Sequence, residues 1–128
     1  MKGLTIGQSA STTRTFLPED VAAYRRLTGD RGFHFGVEAA TAVPGPLLAG
    51  MVSDLLGTQL PGRGTNWLKQ KISYPAVVEV GEVVTAVVTI TRLRPDKDLV
   101  NLRTTCNNPV GTIVCEGEAL VLVKDLEI

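Results

Sequence analysis

The chain has 128 residues, with 13 Lys+Arg against 13 Asp+Glu and a formal net charge of zero. That length supports one domain over residues 1–128, with a core that needs no disulfide or metal support. One histidine and two cysteines cannot form a tetrahedral structural zinc site by themselves, and the balanced charge removes the electrostatic basis for nucleic-acid binding.

The predicted elements begin with an extended arm or edge strand over Leu4 to Phe16, rich in Thr and Ser and without helical period. Pro18 then opens a helix, with Glu19 and Asp20 in the first turn, where the helix dipole favours carboxylates. Val21, Tyr24, Leu27 and Thr28 share one face of it, and Gly29 is a natural stop. Residues 30–46 lack strong periodicity and carry Gly32, Gly36, Pro44, Gly45 and Pro46, with one possible helical turn at Val37 to Ala42. An irregular stretch of that length inside a compact domain is more often functional than not. A second helix follows over Leu47 to Leu56, with Pro46 near its start and Gly57 just past its end. Its apolar positions cover most of the circumference, which predicts burial on nearly all sides.

The second half reads as strands. Thr65 to Tyr74 is one, ending at Pro75. Val83 to Leu93 alternates, with Val84, Ala86, Val88 and Ile90 facing one way and Thr85, Thr89 and Thr91 the other. Leu99 to Cys106 and Ile113 to Val123 form a hairpin through Asn107-Asn108-Pro109-Val110-Gly111. Helices early, strands late and no βαβ alternation predict an α+β domain with an antiparallel sheet around the buried helix. In the hairpin, Pro109 suits a type I corner and Gly111 the left-handed bulge position, which pairs Asn108 with Thr112 and Cys106 with Val114. Cys115 then faces Thr105, on the opposite side of the sheet from Cys106; a one-residue change of register would bring the two cysteines face to face. No export or membrane-spanning signal is evident, because Gly7 to Thr13 is polar and the apolar stretch Pro44 to Val52 is too short for a bilayer. These features predict a cytoplasmic protein with two free thiols.

Phosphate loops, dinucleotide fingerprints and nucleophile elbows are absent, and a helix-borne zinc motif needs a second histidine. What remains is Asp30 and His34 in the irregular stretch, and a glycine-bearing helix start around Ala49 and Gly50. A turn bringing the Asp30 carboxylate and the His34 imidazole to one water molecule makes a general acid–base pair. Alternatively, Asp30 caps the next turn and His34 packs under a loop between Phe33 and Phe35. Gly50 lets a thioester carbonyl approach unpaired helix N–H groups, as an oxyanion hole requires, or equally serves close packing.

Taken in order, "EDVAAYRRLTGD" (Glu19 to Asp30), "GM" (Gly50, Met51), "LLGTQLPGRGTNWLKQ" (Leu55 to Gln70), "VGEVVTAVVTI" (Val80 to Ile90) and "LRTTCNNPVGTIVCEGEALV" (Leu102 to Val121) resemble the MaoC-like (R)-specific enoyl-CoA hydratases. The resemblance runs from about Phe16 to Val123 and implies one hot dog domain, an antiparallel sheet wrapped around a central helix. It also implies homodimers formed through the sheet, with sites at the dimer interface, and addition of water to trans-2-enoyl thioesters of CoA or acyl carrier protein without a cofactor. The family's Gly-Asp-x-Asn-Pro-x-His segment is matched by Gly29-Asp30-Arg31-Gly32-Phe33-His34, which lacks the Asn and Pro and is one residue shorter. Gly36 stands where the family often has an acidic residue, the link to the central helix is a few residues shorter, and Ala49 replaces the His that commonly precedes Gly-Met. Thr65 keeps the hydroxyl of a Ser found near the site in many members. The resemblance thus assigns Asp30 and His34 as the acid–base pair, Gly50 as carbonyl donor and Thr65 as a substrate-positioning group. A hot dog thioesterase, with a carboxylate directing water at C1 instead of C3, and a non-catalytic thioester-binding or structural subunit are the competing readings.

Overall fold

The computed structural model describes residues 1–30 and 41–127. Five strands form one antiparallel sheet: β1 (Ser9–Thr15), β2 (Asn66–Ser73), β3 (Val83–Arg94), β4 (Leu99–Asn107) and β5 (Ile113–Leu122), in the spatial order β1-β3-β4-β5-β2. Two helices among the described residues precede β2: α1 (Pro18–Thr28) and α2 (Gly45–Thr58). This is the predicted α+β arrangement, with the long alternating strands β3 and β4 at the centre and the arm β1 at one edge, paired to β3 from Ser9 opposite Thr89 to Thr15 opposite Val83.

The core lies between α2 and one face of the sheet. Val84, Ala86, Val88 and Ile90 of β3 are buried as their alternation requires, and Val100, Leu102, Thr104 and Cys106 of β4 continue the layer. Thr104, the one buried polar residue in that layer, accepts a hydrogen bond from Gln70 Nε2 at 3.0 Å, which removes the penalty of an unsatisfied hydroxyl. From α2 come Leu48, Met51, Val52, Leu55 and Leu56, spaced i, i+3, i+4, i+7, i+8 as one helical face.

Four expectations need correction. The helix α2 is amphipathic, not buried all round: Gly50, Ser53 and Asp54 on its far side are exposed, and Leu47 is only half-buried. It also begins two residues earlier than predicted, with Pro44 before its first turn, and runs through Gly57 to Thr58. The turn that closes it lies at Leu60 to Gly62, where the N–H groups of Leu60 and Gly62 bond back to Leu55 and Leu56 carbonyls at 2.8 and 3.0 Å and Gly62 takes φ 110°. In α1 only Val21 is buried, and Leu27 is 87% exposed despite its place on the apolar face. Finally, Asn108 N–H bonds to Thr112 O at 3.0 Å as the turn chemistry predicts, but the register slips one residue later, so that Asn107 faces Ile113 and Cys106 faces Cys115. A β-bulge absorbs Val114, and the two free, fully buried thiols therefore lie side by side under α2.

Candidate active site

The end of α1 builds the first wall of the site. Gly29 adopts the left-handed conformation, with φ 76°, and its N–H bonds to Arg25 O at 2.8 Å, so the chain folds back sharply at the helix terminus. The next residue, Asp30, is held at both ends. Its N–H donates to Thr28 Oγ1 at 3.1 Å, while the Thr28 hydroxyl donates to Tyr24 O at 2.9 Å. Its carboxylate Oδ2 accepts the Tyr24 phenol at 2.7 Å. The Tyr24 phenol is in turn pushed above its ordinary range, first by that bond, then by burial and by the charge of Asp30.

Asp30 borders a cavity of about 280 Å³ whose walls include Arg25, Gly45, Leu48, Tyr74 and Val78. The start of α2 enters it because the preceding chain is pinned to the strand-like segment before β3: Val43 N–H bonds to Val78 O and Val80 N–H to Thr41 O, both at 2.8 Å. Gly45 is the first residue of α2, and a helix supplies no acceptor for the N–H groups of its first turn. The ring of Tyr74 lies against Gly45 so closely that a Cβ there would come within 2.6 Å of Cζ. Burial, then the nearby Cys115 and Cys106, push the Tyr74 phenol upward. Beneath this wall Cys106 Sγ approaches Leu48 O at 3.9 Å, and its hydrogen bond with Cys115, followed by burial, holds it well above the usual thiol range. A larger hollow on the open face of the sheet, lined by Lys71, Thr91, Arg103 and Glu118, contains neither Asp30 nor a helix terminus.

Of the three sequence-assigned residues that are described, only Asp30 borders this cavity. His34 lies outside the described residues. Gly50 is the sixth residue of α2, exposed, and borders a different depression between α1, α2 and β1 with Asp20, Tyr24 and Asp54. Its N–H belongs to the interior of the helix, where the carbonyl four residues back is its acceptor, so it cannot be a helix-start donor. Gly45 occupies that place. Thr65 stands just ahead of β2, at the opposite end of that strand from Tyr74, with a buried hydroxyl that has no hydrogen-bond partner. Among the described residues no cluster of three or more His, Cys, Asp and Glu could hold a metal ion.

Comparison with protein-family models gives no match. The (R)-specific enoyl-CoA hydratase of Rhodospirillum rubrum is 39% identical to this chain, over 91% of this chain and 86% of that protein. That of Aeromonas caviae is also 39% identical, over 94% and 96%. The chain belongs to the MaoC-like (R)-specific enoyl-CoA hydratase family. The solved structure of the A. caviae (R)-hydratase, described as involved in PHA biosynthesis, superposes with a TM-score of 0.87 at 36% identity, covering 95% of this chain and 98% of that one. The hot dog architecture that the family resemblance implies is thereby established.

Three residues that line this cavity or bond to Asp30 are not assigned by the sequence reading. Gly45 was visible as the centre of Pro44-Gly45-Pro46, since proline favours the first turn of a helix. The Gly50-Met51 pair drew the assignment one and a half turns too far. Tyr24 reads from sequence as one of the residues sharing a face of α1, because nothing local announces its bond to Asp30. Tyr74 reads from sequence as the end of a strand, and its approach to Gly45 depends on tertiary packing alone.

Proposed function

We propose that this protein catalyses the reversible hydration of trans-2-enoyl thioesters, carried on CoA or acyl carrier protein, to (R)-3-hydroxyacyl thioesters. One observation carries the reading: in a chain 39% identical to (R)-specific enoyl-CoA hydratases, the Asp30 carboxylate and the N-terminus of α2 at Gly45 open on the same cavity. The thioester carbonyl accepts a hydrogen bond from the Gly45 N–H, which stabilises the enolate-like charge that develops as the nucleophile adds. Asp30 and His34 share the attacking water; His34 takes its proton, the oxygen bonds to C3, and the same pair returns a proton to C2. The net change is addition of one H and one OH across the double bond, so the same groups run the dehydration.

The chain acts as a homodimer in this reading. Strand β2 is an edge strand and leaves Trp67, Leu68 and Ile72 exposed, a combination that soluble proteins cover or pair. A two-fold axis near the middle of Asn66–Ser73, with β2 running against its copy, would set Thr65 of the partner subunit opposite Tyr74. That supports a role for the unpartnered Thr65 hydroxyl in a composite site, where it positions water or substrate. No helix among the described residues is long and apolar enough to cross a membrane, and we place the enzyme in the cytoplasm, without cofactor, metal, nucleic-acid or membrane partner.

Incubation with crotonyl-CoA tests the function. Loss of enoyl absorbance without thiol release, giving a product oxidised by an (R)-specific but not an (S)-specific 3-hydroxyacyl-CoA dehydrogenase, is the expected result. Release of free CoA thiol together with crotonate, and no 3-hydroxyacyl product, would make the protein a thioesterase. Thermal stabilisation by the thioester with no turnover would make it a binding subunit.

A further inference from the structure

We propose that Tyr24 is a positioning residue for Asp30, its phenol fixing and keeping ionised the carboxylate that orients the attacking water. The inference rests on the hydratase reading of Asp30 given above. Its own support is geometric. The Tyr24 hydroxyl lies 2.7 Å from Asp30 Oδ2, within the range of charge-assisted O–H···O⁻ bonds.

The arrangement is built, not incidental to a mobile side chain. Tyr24 and Thr28 are one turn apart on α1, and Thr28 binds Tyr24 O on one side and the Asp30 N–H on the other. Gly29 in the left-handed conformation turns the chain back, so that backbone and carboxyl of Asp30 are both tied to α1. An ionised carboxylate has about four acceptor positions. Tyr24 takes one on Oδ2 and so restricts rotation of the carboxylate at the border of the cavity. A phenol donating to the charged form also favours that form over the neutral acid. The shift of the Tyr24 phenol above its ordinary range, with the Asp30 bond as its first cause, is the reciprocal of that effect. The other titratable or charged groups that face Asp30 among the described residues are Arg25 on α1 and Tyr74 at the end of β2, with Cys106 and Cys115 behind Tyr74.

The test is Tyr24→Phe, which removes one oxygen and keeps the ring. With crotonyl-CoA, kcat is expected to fall about tenfold with KM unchanged. The acid limb of the pH profile of kcat/KM is expected to move upward by about half a pH unit, with Tm changed little. Carbon-detected NMR titration of the Asp30 carboxyl, without substrate, is expected to show the same upward movement. A purely structural role would lower Tm and leave both titrations in place. Asp30→Asn separates the two levels of the argument: if it is inactive while Tyr24→Phe leaves the acid limb and the NMR titration unmoved, the role of Tyr24 is overturned alone. If Asp30→Asn is as active as the wild type, the hydratase role of Asp30 falls and that of Tyr24 with it.

Discussion

Replacing Gly45 by alanine places one methyl group at the point where helix terminus, cavity and Tyr74 meet. The new Cβ would sit 2.6, 2.8 and 3.0 Å from Cζ, Cε1 and Cε2 of Tyr74, well inside van der Waals contact, so the ring has to move. Overpacking of this kind costs about 1–3 kcal/mol, offset by up to about 1 kcal/mol from the better helix propensity of alanine. The net loss of about 1–2 kcal/mol lowers Tm by roughly 3–8 °C for a chain of this size. The effect on catalysis is larger, because a ring displaced into a cavity of about 280 Å³ moves the carbonyl off the Gly45 N–H. Loss of a single oxyanion donor costs about 10²–10³-fold in rate, and a fall of about 10² in kcat/KM is expected. Gly50→Ala is the control: its Cβ meets nothing within 4 Å, so it should raise stability by about 0.5–1 kcal/mol and leave kcat/KM unchanged. Initial rates of crotonyl-CoA hydration and urea denaturation of the two variants measure both quantities. A Gly45→Ala enzyme with wild-type kcat/KM, alongside a Gly50→Ala enzyme that has lost it, would refute the placement of the carbonyl site at the start of α2.

Three further outcomes follow from the packing and the electrostatics. Tyr24 and Tyr74 titrate above the ordinary phenol range of about 10 in the folded chain, so the unfolded chain ionises them first and stability, full below about pH 10, declines as pH rises through the folded values; urea denaturation from pH 8 to 11 should show this, with a flatter decline in Tyr74→Phe. Leu55 is fully buried on α2 while Leu27 is 87% exposed, so Leu55→Ala should cost about 2–5 kcal/mol and Leu27→Ala within about 0.5 kcal/mol; equal costs would contradict the core as described. Because Cys106 and Cys115 are fully buried and a thiol must be accessible to react, a disulfide reagent should titrate both in urea and neither in the native protein at early times. Rapid native reaction would contradict their position under α2.

The particular elements show what the amino-acid order can carry. The strands were legible because Val84, Ala86, Val88 and Ile90 alternate with threonines, and period two fixes which side faces the core. The buried stripe of α2 was legible in the same way, but a rich apolar composition made Leu47 look as buried as Leu48; only the packing of the sheet decides which side of a strongly apolar helix is covered. The cysteine pairing failed for a sharper reason. The turn chemistry at Asn108 to Thr112 was right, yet one bulged residue, Val114, reverses every facing relation beyond it. At the site, Asp30 was legible from the Gly29-Asp30 pair at a helix end. Its partner Tyr24 was not, because their hydrogen bond depends on the path the chain takes after α1.

The central claim, that Asp30 directs water onto an enoyl thioester, is tested most directly by the initial rate of crotonyl-CoA hydration in the wild type and in Asp30→Asn. The substitution keeps the size of the side chain and its acceptor oxygen toward Tyr24 but removes the charge. The account predicts that kcat/KM falls by about 10²-fold or more while the folded structure and Tm are retained. Equal rates in the two proteins would contradict it.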